Sequence, residues 1–230
     1  MVEAATESRG QETRERESPP SGSAAIALGL RLLGFGPLLI LVVLVAAIGL
    51  TTPAFVSPIN IGNVIAQTAV IAIVAVGQQI VILGRGIDLS VGSSLALATV
   101  IGGLVYRQVD SAALVMLAML ATAVAVGAIN GSVYVFGRLP HPFIITLATL
   151  SIARGLALEL SIGHTTMRGM PDAIGWIGSG TSFGIPNSFF VVLAVAGLVA
   201  LMAKRMVWGR WIYAVGAAPQ AAREMGIPVR

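Results

Sequence analysis

Long apolar stretches almost free of charge decide what this chain can fold into. The first runs from about Leu32 to Leu50 and the second from Ser57-Pro58 to about Leu83. The third begins around Asp88-Leu89-Ser90 and reaches Tyr106, and the fourth covers Ala112 to Phe136. The fifth opens at Pro142 and ends near Leu160, and the last runs from Asn187 to about Met202. A helix of about 20 apolar residues crosses the hydrocarbon core of a bilayer, so these six segments predict six crossings. A water-soluble fold does not fit: 56% of residues are hydrophobic and only 10% charged, against about a quarter charged in soluble domains. The fold class is all-α, a polytopic transmembrane helical bundle.

Residues 1–30 precede the first segment as a polar tail. Glu3, Glu7, Glu12, Glu15 and Glu17 mix there with Arg9, Arg14 and Arg16, and Ser18-Pro19-Pro20-Ser21-Gly22-Ser23 follow. No apolar period is present to repay the entropy of ordering, so the tail is expected to be disordered. Residues 31–207 form the membrane domain, and 208–230 a polar cytoplasmic loop. The chain stops inside that loop, which reads as a truncation. The connection between the fifth and last segments, roughly Ser161 to Pro186, is glycine-rich and holds Trp176. It is either a short interfacial or docking element or a plain loop with an aromatic belt residue.

Basic residues orient the bundle. With the N-terminus in the cytoplasm, the inner ends hold Arg31, Arg85, Arg138, Lys204, Arg205, Arg210, Arg223 and Arg230, and the outer ends only Arg107 and Arg168. Eight against two obeys the positive-inside bias, and the reverse orientation would violate it. The net charge of +4 is therefore assigned to membrane orientation and not to nucleic acid.

Several chemistries are excluded. The chain has no cysteine, and its two histidines, His141 and His164, lie in different loops, so no metal site is expected. There is no G-x-x-x-x-G-K-[ST], H-E-x-x-H or G-x-S-x-G. Gly84 and Gly86 start a dinucleotide-like pattern, but Leu89 stands where its third glycine belongs. No cofactor and no enzymatic role are expected, and uphill transport would draw on an ion gradient or on a partner.

Polar groups inside the segments are candidates for a solute path. Asn60, Asn63, Gln67 and Gln78 fall near one face of the second segment. Carboxamides both donate and accept, which suits uncharged hydroxylated solutes; equally, they can bind neighbouring helices together. Asn130 faces the same choice. Ser94, Ala98 and Gly102, and Ala123, Gly127 and Gly131, recur every four residues and predict close helix packing. Arg154 and Glu159, five apart, are costly in hydrocarbon and are expected to snorkel toward the headgroups.

The run Gly84-Arg85-Gly86-Ile87-Asp88-Leu89-Ser90-Val91-Gly92-Ser93 resembles the G-G-I-D-L-S-V-G-S signature of ribose/xylose-type ABC importer permeases, departing at Arg85, where glycine is usual. Phe55-Val56-Ser57-Pro58-Ile59-Asn60, Pro142 to Leu147 with Ser151 to Gly155, and Trp208 to Gly216 with Ala221-Ala222-Arg223 and Gly226-Ile227 also look like that family. The resemblance implies about ten spans in the whole permease, six of them here. It further implies an ATP-binding cassette subunit inside, a sugar-binding protein outside, a second permease copy and surrounding lipid. Gly86, Asp88, Leu89, Ser90, Gly92 and Ser93 would form the signature. Gly216, Ala221, Ala222 and Gly226 would meet the ATPase, and Asn63, Gln67, Gln78 and Asn130 would line the substrate path. Gly84 and Gly86 are expected to permit a tight reversal, with Asp88 or Ser90 capping the next helix. The implied role is monosaccharide import across the bacterial inner membrane. The alternative is a gradient-driven secondary transporter or channel for a small polar solute, against which only Arg154, Glu159 and Asp88 are available as coupling charges.

Overall fold

The computed structural model describes residues 35–162 and 169–229. The expected disordered tail, residues 1–30, lies outside them, as do Arg31, His164, Arg168 and Arg230. Contacts divide the chain into two units, Met1–Ser57 and Pro58–Arg230.

In the first unit, helix α1 spans Gly36–Thr51 with Pro37 in its first turn, where a missing N–H costs nothing. Apolar residues occupy every face, as expected of a helix solvated by lipid. Thr52 turns extended ahead of Pro53, as the proline ring demands of its neighbour. A 3₁₀ turn, Pro53–Val56, follows.

The second unit contains α2 (Pro58–Leu83), α3 (Val91–Gln108), α4 (Ala112–Phe136) and α5 (Pro142–Leu160). A short helix α6 (Asp172–Ser179) then leads into a two-stranded hairpin, β1 (Thr181–Ser182) and β2 (Ile185–Pro186). After it come α7 (Asn187–Arg205), α8 (Val207–Ala217) and α9 (Pro219–Glu224). The starts of α2, α4 and α7 lie at one end of the unit with the hairpin. The opposite end carries Arg85, Arg138, Lys204, Arg205, Arg210 and Arg223 and is called the basic end below.

Helix α3 is the most enclosed, packing against both α4 and α5. Its buried side is made of small residues, with Ser93, Ala96, Ala98, Gly102 and Gly103 beside Leu97 and Val100. Ala153 and Ala157 of α5 complete the core. At Gly102 a β-carbon would come within 2.6 Å of Met119 Cγ on α4, so that close approach needs glycine. Small surfaces of this kind associate in lipid through van der Waals contact. Helix α2 instead packs on α7 and α8. Outward positions are large and apolar: Ile71, Leu117, Val124, Ile152 and Leu198 are all exposed.

Among the described residues four helices are long and apolar enough to cross a membrane: α2, α4, α5 and α7. Helices occur in all six predicted segments, but α3 falls outside the four because its serines, glycines and polar last turn, Arg107-Gln108, lower its hydropathy. Described α1 reaches 16 residues. Two local expectations are corrected. Gly127 and Gly131 have nothing within 4 Å of a β-carbon position, so this G-x-x-x-G does not pack on any described helix. Nor does either glycine of Gly84-Arg85-Gly86 take the left-handed conformation: Arg85 does, at φ 66°.

Candidate functional site

Two polar arrangements stand out in the second unit, one at each end of α2.

At the end where α2 begins, a groove of about 460 Å³ opens between the first turns of that helix and the α6–hairpin segment. Asn63 and Gln67, four residues apart, sit on one face of α2 and line it together. Ser179 and Thr181 supply the opposite wall. That wall is held by Asn187 at the start of α7, whose N–H donates to Gly180 O at 2.8 Å and whose Nδ2 donates to Trp176 O at 2.9 Å. The hairpin reverses through Phe183 and Gly184, at φ 56° and 76°, the paired positive angles of a two-residue turn whose twist matches the strands. Among the described residues no charged side chain lines the groove. Carboxamides facing hydroxyls can exchange hydrogen bonds with a neutral hydroxylated solute and bring no net charge of their own.

Gln78 is half-buried further along α2 and does not line this groove. Asn130 lies elsewhere as well. It is 7% exposed and belongs to the second arrangement, a hydrogen-bonded chain beneath the Asp88–Ser93 motif. Asp88 Oδ1 accepts from the Ser90 N–H at 2.7 Å and from Ser90 Oγ at 2.6 Å. Asn130 Nδ2 on α4 donates to Ser90 Oγ at 2.9 Å. Thr149 Oγ1 on α5 donates to Asn130 Oδ1 at 2.6 Å, and Thr146 Oγ1 reaches Ile87 O at 3.3 Å. The motif loop is thereby tied to two helices. Ser90 occupies the position before α3 but makes no capping bond with its side chain; its hydroxyl is engaged by Asp88 and Asn130 instead. The other motif residues divide by burial: Ser93 is buried, Leu89 and Gly86 are half-buried, and Gly92 is exposed.

Just before this motif, α2 ends in a Schellman arrangement. Gly86 N–H donates to Val81 O at 2.8 Å and Arg85 N–H to Ile82 O at 2.9 Å, the paired bonds of a left-handed C-terminal residue. A β-carbon at Gly86 would approach Val81 Cγ1 to 2.9 Å, so glycine is required there by proximity.

A larger cavity, about 490 Å³, lies among α2, α3, α4 and α6, with Asp88 and Ser94 on an otherwise apolar wall that includes Val74, Leu95, Met116 and Met119. Among the described residues no group of three or more His, Asp and Glu side chains is placed to bind a metal.

At the basic end, α8 and α9 form a short helical pair. Gly216 rests directly on the Leu83 carbonyl at the end of α2. Ala222 is buried at 3%, whereas Ala221 and Arg223 beside it are exposed. Gly226, at φ 81°, ends α9 with a second Schellman arrangement, the Ile227 N–H donating to Ala222 O at 3.0 Å.

The groove brings Asn63 and Gln67 together with two residues that periodicity did not single out, Ser179 and Thr181. They belong to a glycine-rich connection, where polarity alone carries no positional signal. Thr149, by contrast, was discoverable: Thr146 and Thr149 stand one helical turn apart in an apolar segment.

The family described as "Branched-chain amino acid transport system / permease component" matches residues 60–230. The chain is 36% identical over 199 residues to the ribose import permease protein RbsC of Escherichia coli (strain K12), covering 84% of this chain and 60% of that protein. It is 34% identical over 198 residues to the D-allose transport system permease protein AlsC of the same organism, covering 85% and 60% respectively. The autoinducer 2 import system permease protein LsrC of Enterobacter sp. (strain 638) is 33% identical over 177 residues, covering 77% of this chain and 51% of that protein. The chain thus spans somewhat over half the length of these curated relatives. No solved structure matches it. With its helices long and apolar enough to cross a bilayer and a family match reaching from α2 to its last residue, the chain belongs to the branched-chain amino acid transport system/permease component family.

Proposed function

We propose that this chain is a membrane-spanning permease subunit of an ATP-driven importer, and that its solute is a monosaccharide. The observation that carries the reading is the uncharged groove in which Asn63 and Gln67 oppose Ser179 and Thr181. Neutral donors and acceptors match a polyol ring, whereas coupling to an ion gradient calls for buried acidic groups in mid-membrane. The names of the relatives agree, since ribose and allose are monosaccharides. The basic end then faces the cytoplasm, supported by its cluster of arginines, and the groove lies on the outer side, where a sugar-binding protein would deliver its cargo. Helix α9 exposes Gln220, Arg223 and Glu224 as a surface for an ATP-binding cassette subunit, and Gly216 sets α8 rigidly on α2. Hydrolysis in that partner, acting on two permease copies, would alternate access to the groove.

The test is uptake of radiolabelled ribose and allose by cells expressing the complete transporter. Gln67→Leu is expected to lower uptake at least tenfold at unchanged membrane level, because a desolvated hydroxyl would lose its partner. Uptake equal to the parent would remove the groove from the path.

A further inference from the structure

Helix α8 follows α7 at the basic end and packs against α7, α9 and α2. Gly209 and Gly216 press against the backbone of Met202–Ala203 and the end of α2. On the 3.6-residue helical wheel Val207, Trp208, Trp211 and Val215 share an arc of about 100° that excludes the two glycines. Trp208 is 68% exposed, and its ring meets that of Trp211 edge-on, centroids 5.5 Å apart. Val207 and Trp208 are exposed and Trp211 and Val215 half-buried, so no described element covers the strip fully.

Charge decides what does. Lys204 and Arg205 end α7 and are exposed, as is Arg210 on α8. Between Asp172 and Glu224 the chain has no acidic residue, so these cations have no carboxylate nearby in sequence. Indole rings prefer the boundary between acyl chains and headgroups, and a helix with an apolar strip flanked by cations lies in that boundary on anionic lipid.

We infer that α8 is an interfacial anchor: its Val207–Trp208–Trp211–Val215 strip enters the inner leaflet while Lys204, Arg205 and Arg210 bind the phosphates of anionic phospholipid. The inference rests on the proposed orientation, with the basic end in the cytoplasm. The strip holds α8 at fixed depth, and through Gly216 on Leu83 that depth is imposed on the end of α2.

The test uses the full chain with Trp176→Phe and Trp211→Phe, leaving Trp208 as the sole indole of this sequence. It is reconstituted with phosphatidylglycerol or phosphatidylcholine brominated on the acyl chains, in bilayers otherwise identical. Expected is quenching of Trp208 emission by both, roughly twofold or more stronger from the brominated phosphatidylglycerol. Arg205→Gln with Arg210→Gln should bring the two to parity. Equal quenching in the parent would overturn the anionic selection. Quenching by aqueous iodide alone would place α8 in water, and protection from both quenchers would show a protein covering, such as a second copy; either result overturns the inference. The same comparison with all three tryptophans retained guards against misfolding of the double variant. Sugar uptake by the reconstituted transporter is read separately, so failure of the lipid contact is distinguishable from failure of the transport reading.

Discussion

Asn130 Nδ2 donates to Ser90 Oγ at 2.9 Å across forty positions of sequence, while its Oδ1 accepts from Thr149 at 2.6 Å. One amide thus spends a donor and an acceptor to join the motif loop, α4 and α5 around a core of alanines. Because Asn130 is buried, at 7% exposure, each orphaned partner costs about 1–3 kcal/mol.

Asn130→Ala is therefore expected to destabilise the protein by roughly 2–4 kcal/mol, since Ser90 and Thr149 both lose a bond. Thr149→Val removes only one bond and should cost about half as much. Thermal melting in detergent measures both. Loss of uptake by Asn130→Ala with an unmoved melting temperature would instead place Asn130 in the solute path.

Arg85 holds φ at 66° in the Schellman turn that ends α2, a region where a β-carbon costs about 1–2 kcal/mol. Arg85→Gly removes that strain but gives the unfolded chain more freedom. The balance is a predicted stabilisation of about 0.5–1 kcal/mol, and Arg85→Val should be worse than the parent. A higher melting temperature for the glycine variant is the check. A lower one would mean that the guanidinium makes a contact worth more than the strain.

The joint between α8 and α2 has no room for a methyl group, because a β-carbon at Gly216 would overlap the Leu83 carbonyl. Backbone on backbone cannot yield as a flexible side chain does. Gly216→Ala is expected to cost roughly 1–3 kcal/mol and to speed hydrogen exchange through residues 207–224. Gly92, with nothing within 4 Å of its β-carbon position, is the control: Gly92→Ala should be neutral or stabilising by up to about 1 kcal/mol. If both variants exchange alike, the joint is loose and α8 does not report on α2.

Much of the helical framework was legible beforehand, and the reasons are local. Pro142 opens α5 after an extended His141, and the apolar run carries it to Leu160. Asn187 marks the start of α7, because the glycine-rich connection ends there. What escaped was what depends on distant partners. Gly84 and Gly86 look like the residues that would bend left-handed, yet the hydrogen bonds to Val81 and Ile82 assign that angle to Arg85. The wall opposite Asn63 comes from Ser179 and Thr181, more than a hundred positions later, and no periodicity links them. Gly127 and Gly131 carry the packing spacing but meet no described helix, since a spacing names a surface without naming what lies on it.

The hairpin that builds that wall turns at Phe183, 97% exposed and held at φ 56°. Nothing described packs on its ring, so the strain is not repaid within the second unit. Asn tolerates both central positions of this turn far better, and Asn-Gly is its favoured pair. Phe183→Asn is expected to stabilise the hairpin by about 1 kcal/mol. Amide exchange across residues 181–187 should then slow roughly fivefold, because a tenfold change corresponds to about 1.4 kcal/mol. Since Ser179 and Thr181 stand on the same segment, a stiffer turn should also narrow the positions their hydroxyls sample, lowering the apparent KM for sugar while leaving membrane level unchanged. Exchange no slower than the parent would mean the backbone turn is already at rest with phenylalanine, and the wall of the groove would owe its shape to Asn187 alone.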